Sequence, residues 1–326
     1  MRRLLALVVI GAAALTGCGT SAADRAAQST APSSSGVQVD SCGETLTITG
    51  RPKKALVLGG TAFGNLDALG VVDQLKLRAG EKSFGLGQEE LQKKYNAIPT
   101  LAGSEIETGG VKVATEVILQ NQVDMVIGYD SGVDREALKK AGVQLYAPAA
   151  FCKGYSVTRA GWELIDQEVS NLAAVFGVPE RAQEVIAKRK AAVADLAKTA
   201  TKSRGTGVAL YITPGDTTFY TYGTSSMVQP IFDAAGLTNA YADSTTRVFD
   251  ASMEDVLKRN PDWVVLLSLN STEEQTLAAF QGFAGADKLK AVASNQVVML
   301  PFALTDPPTM LSVEGATTLA RKLDRQ

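Results

Sequence analysis

An internal repeat predicts that the chain folds as two similar halves. The segment VATEVILQNQVDMVI (113–127) aligns without a gap on ASMEDVLKRNPDWVV (251–265). Three of the matched pairs are Glu116 with Glu254, Leu119 with Leu257 and Asp124 with Asp262. Each copy has the pattern of a short amphipathic helix, a polar turn and an apolar strand. We therefore expect two α/β lobes, each with one glutamate at the start of a helix.

The elements around the repeat support this organisation. Strand and helix patterns alternate before residue 148 and again after residue 207, which is typical of mostly parallel sheets. Residues 179–202 are strong helix formers with proline at the first position, and they predict one long helix between the lobes. We place the N-terminal lobe at 42–158, the connecting helices at 159–203 and the C-terminal lobe at 204–326. A chain of 326 residues is long enough for a separate core in each lobe.

The N-terminus has the features of an export signal. Two arginines precede the apolar run LLALVVIGAAAL (4–15), which is too short to span a bilayer comfortably. Leu15-Thr16-Gly17-Cys18 resembles the bacterial lipobox, which implies removal of the signal peptide 1–17 and lipidation of Cys18. The alternative is a plain secretory signal with an incidental cysteine. Residues 18–41 are rich in Ser, Ala, Thr and Gly, and we expect them to form a flexible tether.

Composition excludes several classes of function. The net charge is −2, and nothing in it suggests nucleic acid as a partner. The chain has no histidine, which excludes Ser-His-Asp and Cys-His catalysis and histidine-ligated zinc or haem. With Cys18 lipidated, Cys42 and Cys152 remain, and an even pair in an exported protein favours a disulfide. Two buried free thiols are the alternative.

The chain resembles the substrate-binding proteins of iron-siderophore and cobalamin ABC importers over residues 44–326. The resemblance is carried by RPKKALVLGGTAFGNLDALGV (51–71), the two repeat copies, the long connecting helix, LKAVASNQVVMLP (289–301) and the lipobox. It implies two Rossmann-like lobes with mostly parallel sheets, joined by a rigid helix, with a ligand cleft between them. It also implies a monomer without cofactor or enzymatic activity, lipid-anchored at the extracytoplasmic face of the cell membrane in a Gram-positive-type envelope.

The resemblance also implies partners. The ligand would be a ferric-siderophore-like small molecule, and Glu116 and Glu254 would dock on arginines of an ABC permease dimer. Two equivalent anions on pseudo-symmetric lobes suit a two-fold symmetric partner. A glutamate in a first helical turn also favours the helix macrodipole, and Ser252 is a candidate cap for the second helix, so a purely structural role is the alternative.

Ligand contacts are expected from loops at the carboxyl ends of strands. The predicted loops are 59–65, 79–87, 128–132, 147–156, 213–226, 243–250 and 302–309. They concentrate aromatic residues, Phe151 and Tyr155 among them, which suits a large ligand with flat or apolar surfaces. The candidate ligand contacts are Phe63, Arg78, Phe84, Tyr129, Tyr220, Tyr222, Arg247 and Phe302. For each aromatic residue, ordinary core packing is the alternative.

The sequence leaves the ligand class open. Few arginines lie in the predicted loops, so a hydroxamate siderophore is as compatible as a catecholate or carboxylate type. Cobalamin is an alternative, and haem bound through Tyr220 or Tyr222 is another. A different class of function is a surface-anchored hydrolase that uses paired carboxylates such as Asp216, Asp243 and Asp250. We identify no catalytic residues and no metal site in the sequence.

Overall fold

The protein is described by a computed structural model over part of its length. The described residues are 36–80, 88–102, 104–107, 110–128, 132–155, 157–199, 203–269 and 271–325. Three positions of the sequence predictions, Cys18, Phe84 and Tyr129, lie outside these ranges.

The N-terminal lobe is built on a four-stranded parallel sheet. Its elements are β1 (Val37–Ser41), β2 (Glu44–Ile48), β3 (Ala55–Leu58), α1 (Phe63–Leu69), β4 (Leu75–Ala79), α2 (Glu89–Asn96), β5 (Ser104–Glu107), β6 (Gly110–Val113), α3 (Thr115–Gln120), β7 (Met125–Gly128), α4 (Arg135–Lys140) and β8 (Gln144–Tyr146). The sheet order is β4-β3-β7-β8, and every pairing in it is parallel. All four residues of β3 and of β7 are buried, as strands covered on both faces require.

The first strand begins within the segment that is predicted to be a flexible tether. β1 pairs with β2 in an antiparallel hairpin, so residues 37–41 belong to the fold rather than to the tether predicted over 18–41. The alternation of Val37, Val39 and Ser41 places Val39 and Ser41 on the buried face. Polar neighbours in the sequence obscure this short alternation, and the flexible segment therefore ends earlier than its composition predicts.

Two helices lie between the lobes in the chain. α5 (Glu163–Phe176) ends at Gly177, whose φ of 63° is a left-handed conformation that favours glycine. α6 (Pro179–Thr199) follows with proline at its first position and is about 32 Å long at 1.5 Å per residue. Arg189 of α6 forms two hydrogen bonds with the Asp166 carboxylate of α5, at 2.5 and 2.9 Å. This bidentate ion pair fixes one helix against the other.

The C-terminal lobe repeats part of the first lobe and adds antiparallel strands. Its elements are β9 (Thr206–Tyr211), β10 (Phe219–Tyr222), α7 (Val228–Ala235), β11 (Thr238–Asn239), β12 (Val248–Ala251), α8 (Met253–Arg259), β13 (Trp263–Ser268), α9 (Glu273–Gln281), α10 (Lys290–Ala293), β14 (Val297–Pro301) and α11 (Met310–Leu323). The sheet order is β12-β10-β9-β13-β14, with β11 also on β9. β9, β13 and β14 are parallel, whereas β10 is antiparallel to both neighbours.

The strands β10 and β12 lie in segments that the sequence predicts to be loops. Residues 219–222 lie in the predicted loop 213–226, and residues 248–250 lie in the predicted loop 243–250, but both segments are paired in the sheet. The sequence FYTY consists of aromatic and β-branched residues, which pack well on a pleated surface. The α/β class with mostly parallel sheets is confirmed.

The two lobes share one central core rather than having fully separate cores. A single apolar cluster contains Val57 and Ile127 from the first sheet, Val265 and Leu300 from the second, and Phe176 from α5. Two further clusters cover the opposite face of each sheet. Each lobe therefore has an apolar cluster of its own, and the central cluster joins the two lobes.

Candidate functional site

The repeat has the same local structure in both lobes. Each copy forms a helix, a turn and a central strand: α3 and β7 in the first lobe, α8 and β13 in the second. Glu116 and Glu254 each occupy the second position of their helix, and both side chains are exposed. The Ser252 hydroxyl accepts the backbone N–H of Asp255 at 3.1 Å and caps α8, as predicted. Within the described residues, neither glutamate has an ion-pair partner.

The repeated aspartates have a structural role. The Asp124 carboxylate accepts the backbone N–H groups of Lys53 and Lys54, at 2.7 and 3.0 Å, directly before β3. The Asp262 carboxylate accepts the N–H and the hydroxyl of Thr206, at 2.7 and 3.0 Å, at the start of β9. β3 and β9 are the partners of the repeat strands β7 and β13. Each aspartate therefore fixes the start of its lobe's first parallel strand.

A cleft lies between the two lobes. Its volume is ≈ 690 Å³, within the range of about 300–1,000 Å³ typical of small-molecule sites. Residues 150–155, 157 and 158 line one side, and residues 245–248 of the C-terminal lobe line the other. The two walls include residues of the predicted loops 147–156 and 243–250, whereas no residue of the predicted loop 213–226 is part of the lining. The N-terminal wall contains Phe151 and Tyr155, which both lie in the predicted loop 147–156.

The N-terminal wall of the cleft is anchored at two points. Cys152 forms a disulfide with Cys42 in the turn between β1 and β2, so the disulfide alternative holds rather than two free thiols. The backbone N–H of Ala149 donates to the Glu168 carboxylate of α5 at 2.8 Å. The same carboxylate accepts the Tyr146 hydroxyl at 2.6 Å. The wall is therefore held both by the first hairpin and by the connecting helix.

Glu168 is a buried carboxylate with an altered pKa. Burial raises the pKa of Glu168 to about 7, although the hydrogen bonds from Tyr146 and Ala149 act in the opposite direction. Tyr146 also accepts a hydrogen bond from the Asn171 amide at 3.2 Å. The hydroxyl thus donates to the carboxylate and receives from the amide, which orients all three groups.

Hydrogen bonds cross from the N-terminal wall to the C-terminal lobe. The Tyr155 hydroxyl donates to the Ser225 carbonyl at 3.2 Å. The Thr224 hydroxyl donates to the Thr158 carbonyl at 2.6 Å. Burial, and then the charge of Asp306, raise the pKa of Tyr155 to about 12, so its phenol stays neutral near pH 7.

Among the predicted ligand contacts that the structure describes, Arg247 alone lines this cleft. It lies directly before β12, and its side chain is mostly buried. The guanidinium forms an ion pair with Asp306 and stands over the ring of Phe151, with its central carbon 5.0 Å from the ring centroid. Asp306 is almost fully buried and was not among the predicted site residues, because the stretch TDPPT (305–309) carries no recognisable binding motif.

Three other predicted ligand contacts pack within the fold. Phe63 is fully buried and packs edge-on against Tyr95, with ring centroids 5.0 Å apart. Tyr222 is also buried, and burial raises its pKa well above the usual value. Arg78 donates to the Ile98 carbonyl at 3.0 Å and stacks over the Tyr95 ring. All three side chains already pack against or bond to other residues of the fold, so we remove them from the candidate ligand contacts.

Two predicted aromatic residues stay near the carboxyl edge of the C-terminal sheet. Phe302 follows β14 and packs edge-on against Tyr211, the last residue of β9, with ring centroids 5.1 Å apart. Tyr220 pairs with Tyr211 across β10 and β9. Both Phe302 and Tyr220 are half-buried, and we keep them as candidate contacts, although neither is among the residues that line the cleft.

The described residues provide neither a cluster of metal ligands nor a membrane-spanning helix. Across the described ranges, no group of three or more His, Cys, Asp or Glu side chains is placed to hold a metal ion. In the same part of the chain, no helix has the length and apolar character needed to cross a bilayer.

Comparison with known proteins identifies the family. The model of the family described as "Periplasmic binding protein" matches residues 57–304. A crystal structure described as an ABC-type Fe³⁺-hydroxamate transport system from Saccharomonospora viridis DSM 43017 is 32% identical, with a TM-score of 0.79, over 87% of this chain and 98% of that chain. Among curated proteins, no match to the chain was found.

Two more distant structures share the fold. The vitamin B12 binding protein BtuF of Vibrio cholerae is 17% identical, with a TM-score of 0.60, over 84% of this chain and 97% of that chain. The periplasmic heme binding protein HutB of Vibrio cholerae is 16% identical, with a TM-score of 0.63, over 83% of this chain and 98% of that chain. The match of the family model and the 32% identity over nearly all of a solved relative agree with the resemblance in the sequence: the chain belongs to the periplasmic binding protein family.

Proposed function

We propose that the protein captures a ferric siderophore outside the cell membrane and delivers it to the permease of an ABC importer. The observation that carries this proposal is the inter-lobe cleft of ≈ 690 Å³ in a chain that is 32% identical to a protein described as an Fe³⁺-hydroxamate transport system. The aromatic ring, the hydroxyl groups and the arginine of its walls suit a bulky chelate with apolar and oxygen-rich surfaces.

The other candidate functions have less support. Haem bound through a tyrosine needs an accessible phenol; Tyr222 is buried in the C-terminal lobe, which leaves the half-buried Tyr220 as the one candidate of the two. A hydrolase would need a protonated carboxyl, whereas Arg259 lowers the pKa of Asp243 through a hydrogen bond at 2.9 Å. We therefore propose binding rather than catalysis, with cobalamin or haem as the alternative ligand.

The N-terminus and the repeat suggest how the protein is anchored at the membrane and how it contacts its permease. We propose that Cys18 carries a lipid that anchors the chain at the extracytoplasmic face of the membrane, which mass analysis of the mature protein would test. We further propose that Glu116 and Glu254 contact the permease dimer, since both are exposed at equivalent positions of the two lobes.

Calorimetric titration of the purified mature chain tests the ligand. We expect a ferric siderophore to bind with Kd on the order of 1 μM or tighter. The metal-free siderophore is the control, and cobalamin and haem are titrated in parallel. Binding of cobalamin or haem alone would reassign the ligand, whereas binding of none of the three would overturn the importer function.

A further inference from the structure

We propose that Asp306 determines the charge selectivity of the cleft, by neutralising Arg247 so that the site accepts ferric chelates without net negative charge. The proposal rests on the proposed siderophore function and adds the residue that selects among siderophores. Arg247 alone would favour an anionic chelate, because guanidinium groups bind carboxylates and similar anions strongly. The residues around Arg247 instead favour a chelate without net negative charge.

The ion pair is built into the fold. Asp306 is 1% exposed and the Arg247 side chain 19% exposed, and among the described residues each has its ion pair with the other. The second oxygen of the Asp306 carboxylate accepts the backbone N–H of Met227 at 3.1 Å, directly before α7. A buried carboxylate without a cationic partner is costly, so Arg247 is held at Asp306 whether or not a ligand is present.

The guanidinium also connects the two walls of the cleft. It projects from the C-terminal lobe and stands over the Phe151 ring of the N-terminal wall at 5.0 Å. Phe151 is fixed in turn beside Cys152, which is bonded to Cys42. One face of Arg247 is thus covered by an aromatic ring, while its charge is balanced by a carboxylate. An anionic ligand would gain little from this arginine.

The rest of the described lining carries little charge. Thr158, Thr245 and Thr246 contribute hydroxyl groups, and Val157 and Val248 contribute apolar surface. Lys153 is the one other ionised side chain of the described lining, and it is exposed, so solvent screens its charge. Hydroxyl groups and a ring face suit an uncharged chelate such as a ferric tris-hydroxamate better than a polyanionic tris-catecholate.

Replacing the carboxylate by its neutral isostere tests the proposal. Asp306→Asn keeps an oxygen for the Met227 N–H but leaves Arg247 unbalanced. The probes are ferrichrome, an uncharged ferric tris-hydroxamate, and ferric enterobactin, a trianionic tris-catecholate. We expect the wild-type protein to prefer ferrichrome, and Asp306→Asn to shift the ratio of the two Kd values by about tenfold toward ferric enterobactin. The shift should shrink as salt is raised, since an electrostatic gain is screened.

Two further variants make the result specific. Asp324→Asn removes the same charge from an ion pair with Arg204, before β9 and at the far end of the strands from the cleft, and should leave the ratio unchanged. The double variant Arg247→Gln with Asp306→Asn removes both charges and leaves no stranded ion, so it should fold and keep the wild-type ratio within about threefold even if Asp306→Asn alone does not fold.

Each outcome decides the question. An unchanged ratio in Asp306→Asn, a wild-type protein that binds both chelates equally, or a double variant that loses the preference overturns the selectivity role while siderophore binding stands. A wild-type protein that binds neither chelate overturns the proposed function and the selectivity role together. The expected shift, absent in Asp324→Asn, supports both.

Discussion

Glu168 is a residue whose burial has a measurable consequence. It reaches from α5 to the Ala149 N–H and the Tyr146 hydroxyl, and so connects a helix between the lobes with a wall of the cleft. Burial disfavours its charged form and raises its pKa to about 7. The folded protein therefore retains this proton over a pH range in which the unfolded chain has already released it.

This difference predicts how stability depends on pH. The unfolded carboxyl titrates near 4.5 and the folded one near 7, so between these values the unfolded state binds fewer protons and stability falls as pH rises. The loss is complete above about pH 7 and is on the order of 3 kcal/mol. Glu168→Gln keeps an acceptor for Ala149 and a polar group for Tyr146 but has no proton to lose. We expect its Tm to exceed that of the wild type at pH 8 and to approach it at pH 5.

A neighbouring variant provides the control for that measurement. Glu163→Gln removes an exposed carboxylate from the first turn of the same helix and should leave the pH profile of the melting temperature unchanged. Equal effects of the two substitutions, or a Glu168→Gln variant that is less stable at every pH, would show that the buried carboxyl is not the source of the pH dependence.

The two aspartates of the repeat have a structural role in the secondary-structure elements next to them. Asp124 and Asp262 each bind the backbone at the start of the strand beside the repeat strand. A carboxylate that accepts two hydrogen bonds at this point sets where β3 and β9 begin and how they align with β7 and β13. The matched pair in the sequence is thus an element-building device, used once in each lobe.

Removing these carboxylates should destabilise each lobe by a similar amount. We expect Asp124→Ala and Asp262→Ala each to lower the free energy of unfolding by about 1–3 kcal/mol, since each leaves two donors at a strand start without their charged acceptor, and Asp262→Ala also removes an exposed ion pair with Lys290 that contributes little. The two aspartates share no partner, so the effects should add in the double variant. Urea denaturation measures both. Asp216→Ala, at an exposed turn position, is the control and should cost less than about 0.5 kcal/mol.

The elements that depend on local patterns were predictable from the sequence, and those that depend on distant partners were not. The repeat helices, the parallel strands and α6 follow from periodicity within a few residues. Residues 219–222 form a strand because β9 and β12 lie on either side, which a local pattern does not reveal. Phe63 is buried because Tyr95 packs on it, and Asp306 matters because Arg247, far away in sequence, reaches it.

At the scale of the whole molecule, the lobes are joined by more than their connecting helices. The Asn65 amide of α1 donates to the Pro308 carbonyl at 3.1 Å and accepts the N–H of Met310 at 2.9 Å, where α11 begins. Asn65 is buried, and the central core continues across both lobes. Breaking these two hydrogen bonds would leave a buried amide without partners, which is costly. The contact therefore opposes large movements between the lobes.

A joined pair of lobes holds Glu116 and Glu254 in a fixed relation, as a two-fold symmetric permease would require. We expect the double variant Glu116→Ala with Glu254→Ala to abolish uptake of the ferric siderophore in cells while its Kd for that ligand stays within about twofold of the wild type. Glu136→Ala with Glu274→Ala is the matched control, because it also removes one exposed first-turn glutamate from each lobe, and it should leave uptake intact. If uptake survives in the first variant, or is lost equally in both, the repeat glutamates do not dock the protein on its permease.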